Sequence, residues 1–228
     1  MNKNYKHIDN YFKNYDINKL YDNEKIHIFL SIYKIEKLAN FNNIYKVLDI
    51  GCGDGVITYN LAKKYPNIYF IGIDSSIENI LYAKKNYVLK NLIFFNINIF
   101  DILKSDYISN FDFIYSYNVL QYFFHEDIIK LNIKLIDILK KNGSIIHFSI
   151  PDVRMKFASL LALNYNNIFK SIYQYFIYRD KCIYENDYIS LWHSPKKIYK
   201  DLSKWFKVVI NTSSDTLWYR FNLILSIK

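Results

Sequence analysis

The chain is poor in the residues that cross-link a protein or bend its backbone. Of 228 residues only two are cysteine, three proline and five glycine. Cys52 and Cys182 lie in different parts of the chain without ligand-like spacing, which excludes a disulfide framework and a zinc module. The scarcity of glycine and proline excludes a collagen-like or linker-rich chain, and no internal repeat is present. No apolar run reaches the roughly 18 to 20 residues that span a bilayer, so no membrane span is expected. The start, Met1-Asn2-Lys3-Asn4-Tyr5-Lys6-His7, has no apolar segment behind its charge and does not read as a secretory signal; the expected compartment is the cytoplasm.

What is present is a globular composition. Hydrophobic residues make up 51% and charged residues 22%, which excludes a disordered chain and supplies a sizeable core for one domain over residues 1–228. The net charge of +9 would ordinarily raise nucleic acid or a phosphorylated substrate as partners. The lysines are scattered, however, and accompany an excess of Asn, Ile and Tyr of the kind that codon bias produces, so nucleic acid is not the expected partner.

From residue 46 onward short apolar runs alternate with helical stretches, the pattern of a parallel sheet with crossover helices. Strands are predicted at about 46–50, 68–73, 92–97, 112–117, 143–150, 205–212 and 219–227, and helices near 55–65, 76–87, 127–140 and 195–204. No helix fits between Ile210 and Tyr219, so the last two strands are expected to form an antiparallel hairpin. Ile26, Phe29, Leu30, Tyr33, Ile35 and Leu38 recur at helical spacing and predict a helix before the first strand. Residues 1–40 read as an N-terminal helical lid; the tyrosines among residues 1–22 fit a docking helix, a lid or a poorly ordered terminus. Residues 152–194 interrupt the alternation with an aromatic-rich insertion, from Phe157 to Tyr178, expected as one or two helices roofing an acceptor pocket. The predicted fold is thus an α/β three-layer sandwich with a seven-stranded, mostly parallel sheet and a helical insertion after the fifth strand.

Three of the five glycines fall within five residues, Gly51-Cys52-Gly53-Asp54-Gly55, directly after the strand Val47-Leu48-Asp49-Ile50. Glycines there let the backbone turn sharply and let a ligand approach main-chain N–H groups. Val56 stands where the dinucleotide fingerprint requires its third glycine, which weakens an NAD-dependent oxidoreductase. Asp49, two positions before the first glycine, suits an ammonium and not a phosphate. Asp74 ends the second strand 19 residues after Gly55, near the offset at which a carboxylate takes ribose hydroxyls; capping the helix that opens at Ser75-Ser76 is the competing role.

This strand, loop and strand-end acid resemble the class I S-adenosylmethionine-dependent methyltransferases of the small-molecule or saccharide type, over most of the chain. The resemblance implies S-adenosyl-L-methionine as cofactor and S-adenosyl-L-homocysteine as product. It puts Asp49, Gly51, Cys52 and Gly53 beside the methionine part and Asp74 and Ser75 at the ribose. The family's acid after the third strand is replaced here by Asn98, next to Ile99, with Asp101 as the competing candidate for the adenine amino group. Ser116 and the following Asn118-Val119-Leu120-Gln121-Tyr122 match the segment over which the active site lies. Many small-molecule members have His near the position that Tyr122 occupies.

Methyl transfer is an in-line displacement, accelerated by alignment and water exclusion, and it needs a base only when the acceptor carries a proton of high pKa. The candidates for such a role are Tyr122, His125 and His193; His147, inside the fifth strand, reads as a half-buried core residue. Asp152 and Arg154 follow the fifth strand and are expected to face the acceptor, the arginine through paired bonds to a phosphate or carboxylate. The acceptor class these features imply is a small molecule or glycan precursor, of the kind used in surface-polysaccharide synthesis, methylated on oxygen, with anionic acceptors included. The rivals are an RNA methyltransferase, although no Asn-Pro-Pro-Tyr-type motif follows the fourth strand, and a binding protein of the same fold without transfer activity.

Overall fold

A computed structural model describes residues 22–104, 109–164, 166–177, 181–184, 188–212 and 219–228. Its frame is a seven-stranded sheet made of β1 (Lys46–Ile50), β2 (Tyr69–Asp74), β3 (Leu92–Asn96), β4 (Phe111–Tyr117), β5 (Leu139–Pro151), β8 (Phe206–Thr212) and β9 (Arg220–Ile227). The spatial order is β3-β2-β1-β4-β5-β9-β8, parallel through β5, with β9 antiparallel to both of its neighbours. The order reverses between β1 and β4, and the carboxyl ends of strands at such a point form the crevice in which α/β proteins bind ligands.

Period-two alternation sorts the side chains into two layers. Leu48, Ile50, Ile71, Ile73 and Ile114 face α4 (His125–Leu135) and α7 (Pro195–Leu202), which bury Ile128, Leu131, Leu135, Ile198 and Leu202. Val47, Phe70, Phe113, Ile146 and Phe148 face α1 (Asp22–Ala39), α2 (Val56–Lys64) and α3 (Ile77–Asn86). Both faces are covered, which is why these strands are almost continuously apolar.

Three details depart from the sequence reading. In α1 the buried positions are Ile35 and Ala39, with Ile32 and Leu38 packed beside them, while Phe29 and Tyr33 are exposed, because only the C-terminal half of the helix lies on the sheet. Strand β5 begins at Leu139, not near 143: Leu139 pairs with Phe111 and Ser144 with Phe113, so residues 140–143 form a bulge within the strand. The insertion holds not only two helices, α5 (Lys156–Leu163) and α6 (Ile168–Ile177), but also a hairpin of β6 (Lys181–Tyr184) and β7 (Tyr188–Leu191). Several α6 residues, among them Phe169, Tyr173 and Phe176, are exposed, so this helix does not roof a closed pocket by itself. The tyrosines of residues 1–21 lie outside the described residues. No described helix is long and apolar enough to cross a membrane.

Candidate functional site at the carboxyl ends of β1, β2 and β4

The loop after β1 is built from left-handed glycines. Gly51, Gly53 and Gly55 have φ of 69°, 56° and 83°, a region that costs an L-residue roughly 1 to 2 kcal/mol. Two of them are also packed tight. A Cβ on Gly51 would stand 2.6 Å from Val119 Cγ2, and one on Gly55 would stand 2.6 Å from Phe94 Cζ and 2.9 Å from Ala83 Cβ. Gly53 differs, because a Cβ there would meet nothing within 4 Å. The loop therefore rests on Phe94 and Val119 and opens at Gly53.

Asp74 braces this loop. One carboxylate oxygen accepts the Gly53 N–H at 2.9 Å and the other accepts the Ser76 N–H at 2.8 Å. The expected choice between ligand binding and helix capping dissolves in part: the residue that caps α3 is Ser76, whose Oγ accepts the Asn79 N–H, and Asp74 joins the glycine loop to the start of that helix. Asn96 Nδ2 in turn donates to the Asp74 and Ser75 carbonyls, fixing the end of β3 against the same rim.

Asp49 lies beneath the loop, 3% exposed. Its Oδ2 accepts the Thr58 hydroxyl at 2.6 Å and the Tyr115 hydroxyl at 2.7 Å. Tyr115 is its register partner on β4, and Thr58 lies in the first turns of α2. No cation of the described residues pairs with it. Burial outweighs the two hydroxyl donors and raises the carboxyl from 3.8 to about 7, with the Asp74 charge pushing the same way. Burial, and then the charges of Asp49, Asp74 and Asp54, push the Cys52 thiol well up, so it does not act as a thiolate.

The other residues singled out in the sequence fall into distinct settings. Asn98 Oδ1 accepts the Phe100 N–H at 3.0 Å and starts the short 3₁₀ helix Ile99–Lys104; its amide N–H groups suit a ring-nitrogen acceptor, and Asp101 is exposed. Ile99 is buried. Ser116 is fully buried and its hydroxyl lies 2.7 Å from His147 Nδ1, so its side chain is engaged inside the protein and does not face a ligand. His147 is fully buried, not half-buried. Its Nε2 donates to Asn132 Oδ1, and burial lowers its pKa to about 3, so it is a neutral core group. His125 pairs with Asp201 Oδ2 at 2.8 Å, tying α4 to α7. Tyr122 is half-buried in a 3₁₀ turn, Leu120–Tyr122.

His193 is buried against the Leu120 carbonyl, to which Nε2 lies at 3.1 Å. A carbonyl only accepts, so Nε2 carries the proton and Nδ1 keeps its lone pair. Burial holds its pKa near 4. Asp152 bridges to His193 and is buried, and Arg154 folds back on it with Nε 3.0 Å from Oδ1. The Arg154 charge is thereby offset within the protein, which weakens the expectation that it grips a ligand.

One residue with a place in this crevice was not singled out in the sequence. Arg220 opens β9 opposite Pro151 and is 8% exposed, donating from Nη1 to Asn118 Oδ1, Gln121 Oε1 and the Ser149 carbonyl. The available signal was a lone arginine at the head of the otherwise apolar run Phe221-Asn222-Leu223-Ile224-Leu225.

A doubly wound sheet with a left-handed glycine loop at its switch point, braced by the acid that ends β2, defines a protein that binds a nucleoside-type cofactor. Residues 41–202, well over half of the chain, match the family model described as a methyltransferase domain, and the chain belongs to that family. No protein of curated function matches its sequence. Among solved structures it is similar to the plantazolicin methyltransferase BpumL in complex with SAH, at 18% identity and a TM-score of 0.61, over 89% of this chain and 84% of that one. It is similar to magnesium protoporphyrin IX methyltransferase (ChlM) from Synechocystis PCC 6803 with bound SAH, at 17% identity and a TM-score of 0.64, over 97% and 94% of the two chains. The PH0226 protein from Pyrococcus horikoshii OT3 matches at 16% identity and a TM-score of 0.64, over 96% and 99%.

Proposed function

We propose that this methyltransferase takes its methyl group from S-adenosylmethionine and transfers it to an oxygen of a small molecule or saccharide intermediate, phosphorylated or nucleotide-linked. The observation that carries the donor is Asp49, a buried carboxyl with no cation beside it under an open glycine loop. A cationic cofactor fits such a group, because its charge compensates the carboxylate that burial alone disfavours. Structural neighbours crystallised with SAH support the same donor. When bound, the cofactor supplies a methyl group on a sulfonium, activated for displacement.

The protein's own residues then do three things. Asp49, steadied by Thr58 and Tyr115, offers its charge to the amino-acid end, and Gly53 leaves room for it. Asp74 offers two oxygens to the ribose hydroxyls, and Asn98 and the Ile99 backbone serve the adenine. On the acceptor side, the segment Asn118–Tyr122 lies against the loop through Val119, while His193 presents a neutral ring with an unprotonated Nδ1. A ring held near pKa 4 is a weak base, so it suits an acceptor hydroxyl already acidic or one activated by alignment.

The test is calorimetric binding of S-adenosylmethionine to the full chain and to Asp74→Ala, followed by labelled-methyl transfer to cell extract. The expected result is binding that falls at least tenfold in the variant, with base-stable label in the acid-soluble fraction that changes mobility after phosphatase. Absence of binding by the unmodified chain, or label confined to RNA, would overturn the reading.

A further inference from the structure

We propose that Arg220 anchors an anionic group of the methyl acceptor, a carboxylate or phosphate, through its Nε–Nη2 edge. The proposal rests on the methyltransferase reading above and deepens it.

The three acceptors that Arg220 reaches are neutral, and all are taken by Nη1: Asn118 Oδ1 at 3.2 Å, Gln121 Oε1 at 2.7 Å and the Ser149 carbonyl at 2.8 Å. No carboxylate of the described residues pairs with it. Among the described residues Nη2 has no hydrogen-bond partner, and Nε is buried with no acceptor. Those two N–H groups form the side of the guanidinium that takes a planar carboxylate or two phosphate oxygens in parallel. A cation buried this deeply without a counter-ion is costly, by several kcal/mol before compensation. Two of its holders, Asn118 and Ser149, even adopt left-handed backbones, with φ of 59° and 65°. Such strain and desolvation gather at ligand sites.

Two further buried donors without a partner belong to residues that adjoin Arg220. They are Ser149 Oγ, on the residue whose carbonyl Arg220 holds, and Trp192 Nε1, both able to donate. Trp192 packs at a tilt against Tyr219, whose ring lies 5.4 Å from the Arg220 guanidinium carbon. A second cation stands near: burial, and then the Arg220 charge, lower the Lys34 ammonium to about 8. The place is the acceptor side of the crevice, because Asn118 adjoins Val119, which touches Gly51 of the cofactor loop. A buried guanidinium with unpaired donors beside it asks for an anionic, oxygen-rich occupant. Arg154, already paired with Asp152, does not answer to that description.

One ligand chemistry has two sources here, the acceptor and the cofactor's own carboxylate, and the experiment separates them. The full chain is saturated with S-adenosylhomocysteine and titrated at fixed ionic strength with benzoate, phenyl phosphate and, as neutral control, benzyl alcohol. One or both anions are expected to bind in the millimolar range and benzyl alcohol not to. Arg220→Gln is expected to lose at least tenfold in anion affinity with S-adenosylhomocysteine affinity changed less than threefold. Equal binding of anions and the alcohol, or anion binding unchanged in Arg220→Gln, would overturn the proposal. So would a tenfold loss of S-adenosylhomocysteine affinity without any anion site, which would give Arg220 to the cofactor carboxylate. Failure of the unmodified chain to bind S-adenosylhomocysteine would instead sink the methyltransferase reading itself. If Arg220→Gln does not fold, bromide-soaked crystals of the unmodified chain decide: an anomalous peak at the Nε–Nη2 edge supports the proposal, and peaks only at exposed lysines overturn it.

Discussion

Replacing Asp49 by Asn should make the ligand-free protein more stable and the cofactor site worse. In the fold the carboxyl is held protonated up to about pH 7, whereas in the unfolded chain it ionises near 3.8. The folded state therefore binds the proton more tightly, so this group's contribution to stability falls as pH rises from about 4 to 7 and is level above that. A displacement from 3.8 to about 7 corresponds to a full cost of about 4 kcal/mol at pH 8, and to about 2 kcal/mol at pH 5. Asn has the same shape, and its Oδ1 still accepts the Thr58 and Tyr115 hydroxyls, so Asp49→Asn removes the charge with little repacking. The stability difference between variant and parent should thus grow by about 2 to 3 kcal/mol from pH 5 to pH 8. Urea unfolding of both proteins at four pH values, without ligand, measures it. Added S-adenosylmethionine should reverse the order, stabilising the parent more than the variant, since only the parent offers a negative charge to the bound cation. A difference that stays flat with pH, or a parent more stable than the variant at pH 8 without ligand, would refute the account of Asp49 as a buried, uncompensated carboxyl.

Other outcomes follow from the same geometry. Gly53→Ala meets open space and only a positive φ, so it should cost about 1 kcal/mol in unfolding experiments yet weaken S-adenosylmethionine at least tenfold in titrations. Gly55→Ala drives a methyl into Phe94 and Ala83 and should cost about 2 to 4 kcal/mol. Thr58→Val removes one of the two donors that favour the Asp49 carboxylate, so cofactor affinity, which rises with pH through about 7 in the parent, should need a higher pH to reach its plateau. His147→Leu leaves Ser116 and Asn132 without their shared partner in the core, and denaturant midpoints should fall by the equivalent of about 2 to 4 kcal/mol.

Much of the site was legible because its signals are local. The run from Val47 to Gly55 carries strand, turn and helix start in nine residues, and Asp74 announces itself as the first polar residue after an unbroken apolar strand. Ser116, His147 and Arg220 were not legible in the same way. Ser116 and His147 occupy register-paired positions on β4 and β5, which brings together side chains 31 residues apart. Arg220 meets Asn118 and Gln121 across about a hundred residues, because β9 returns antiparallel beside β5. Arg154 looked the better anion ligand until Asp152, two residues before it, proved to hold its guanidinium.

By itself, then, the sequence determined the alternation of strands and helices, the antiparallel last pair and the glycine loop with its two acids, since hydrophobic period and turn chemistry act between near neighbours. Tertiary structure alone decided which charges are left uncompensated. Whether Asp49 or Arg220 has a partner depends on strand order and burial, and these set the cost of a charge over distances that no local spacing encodes.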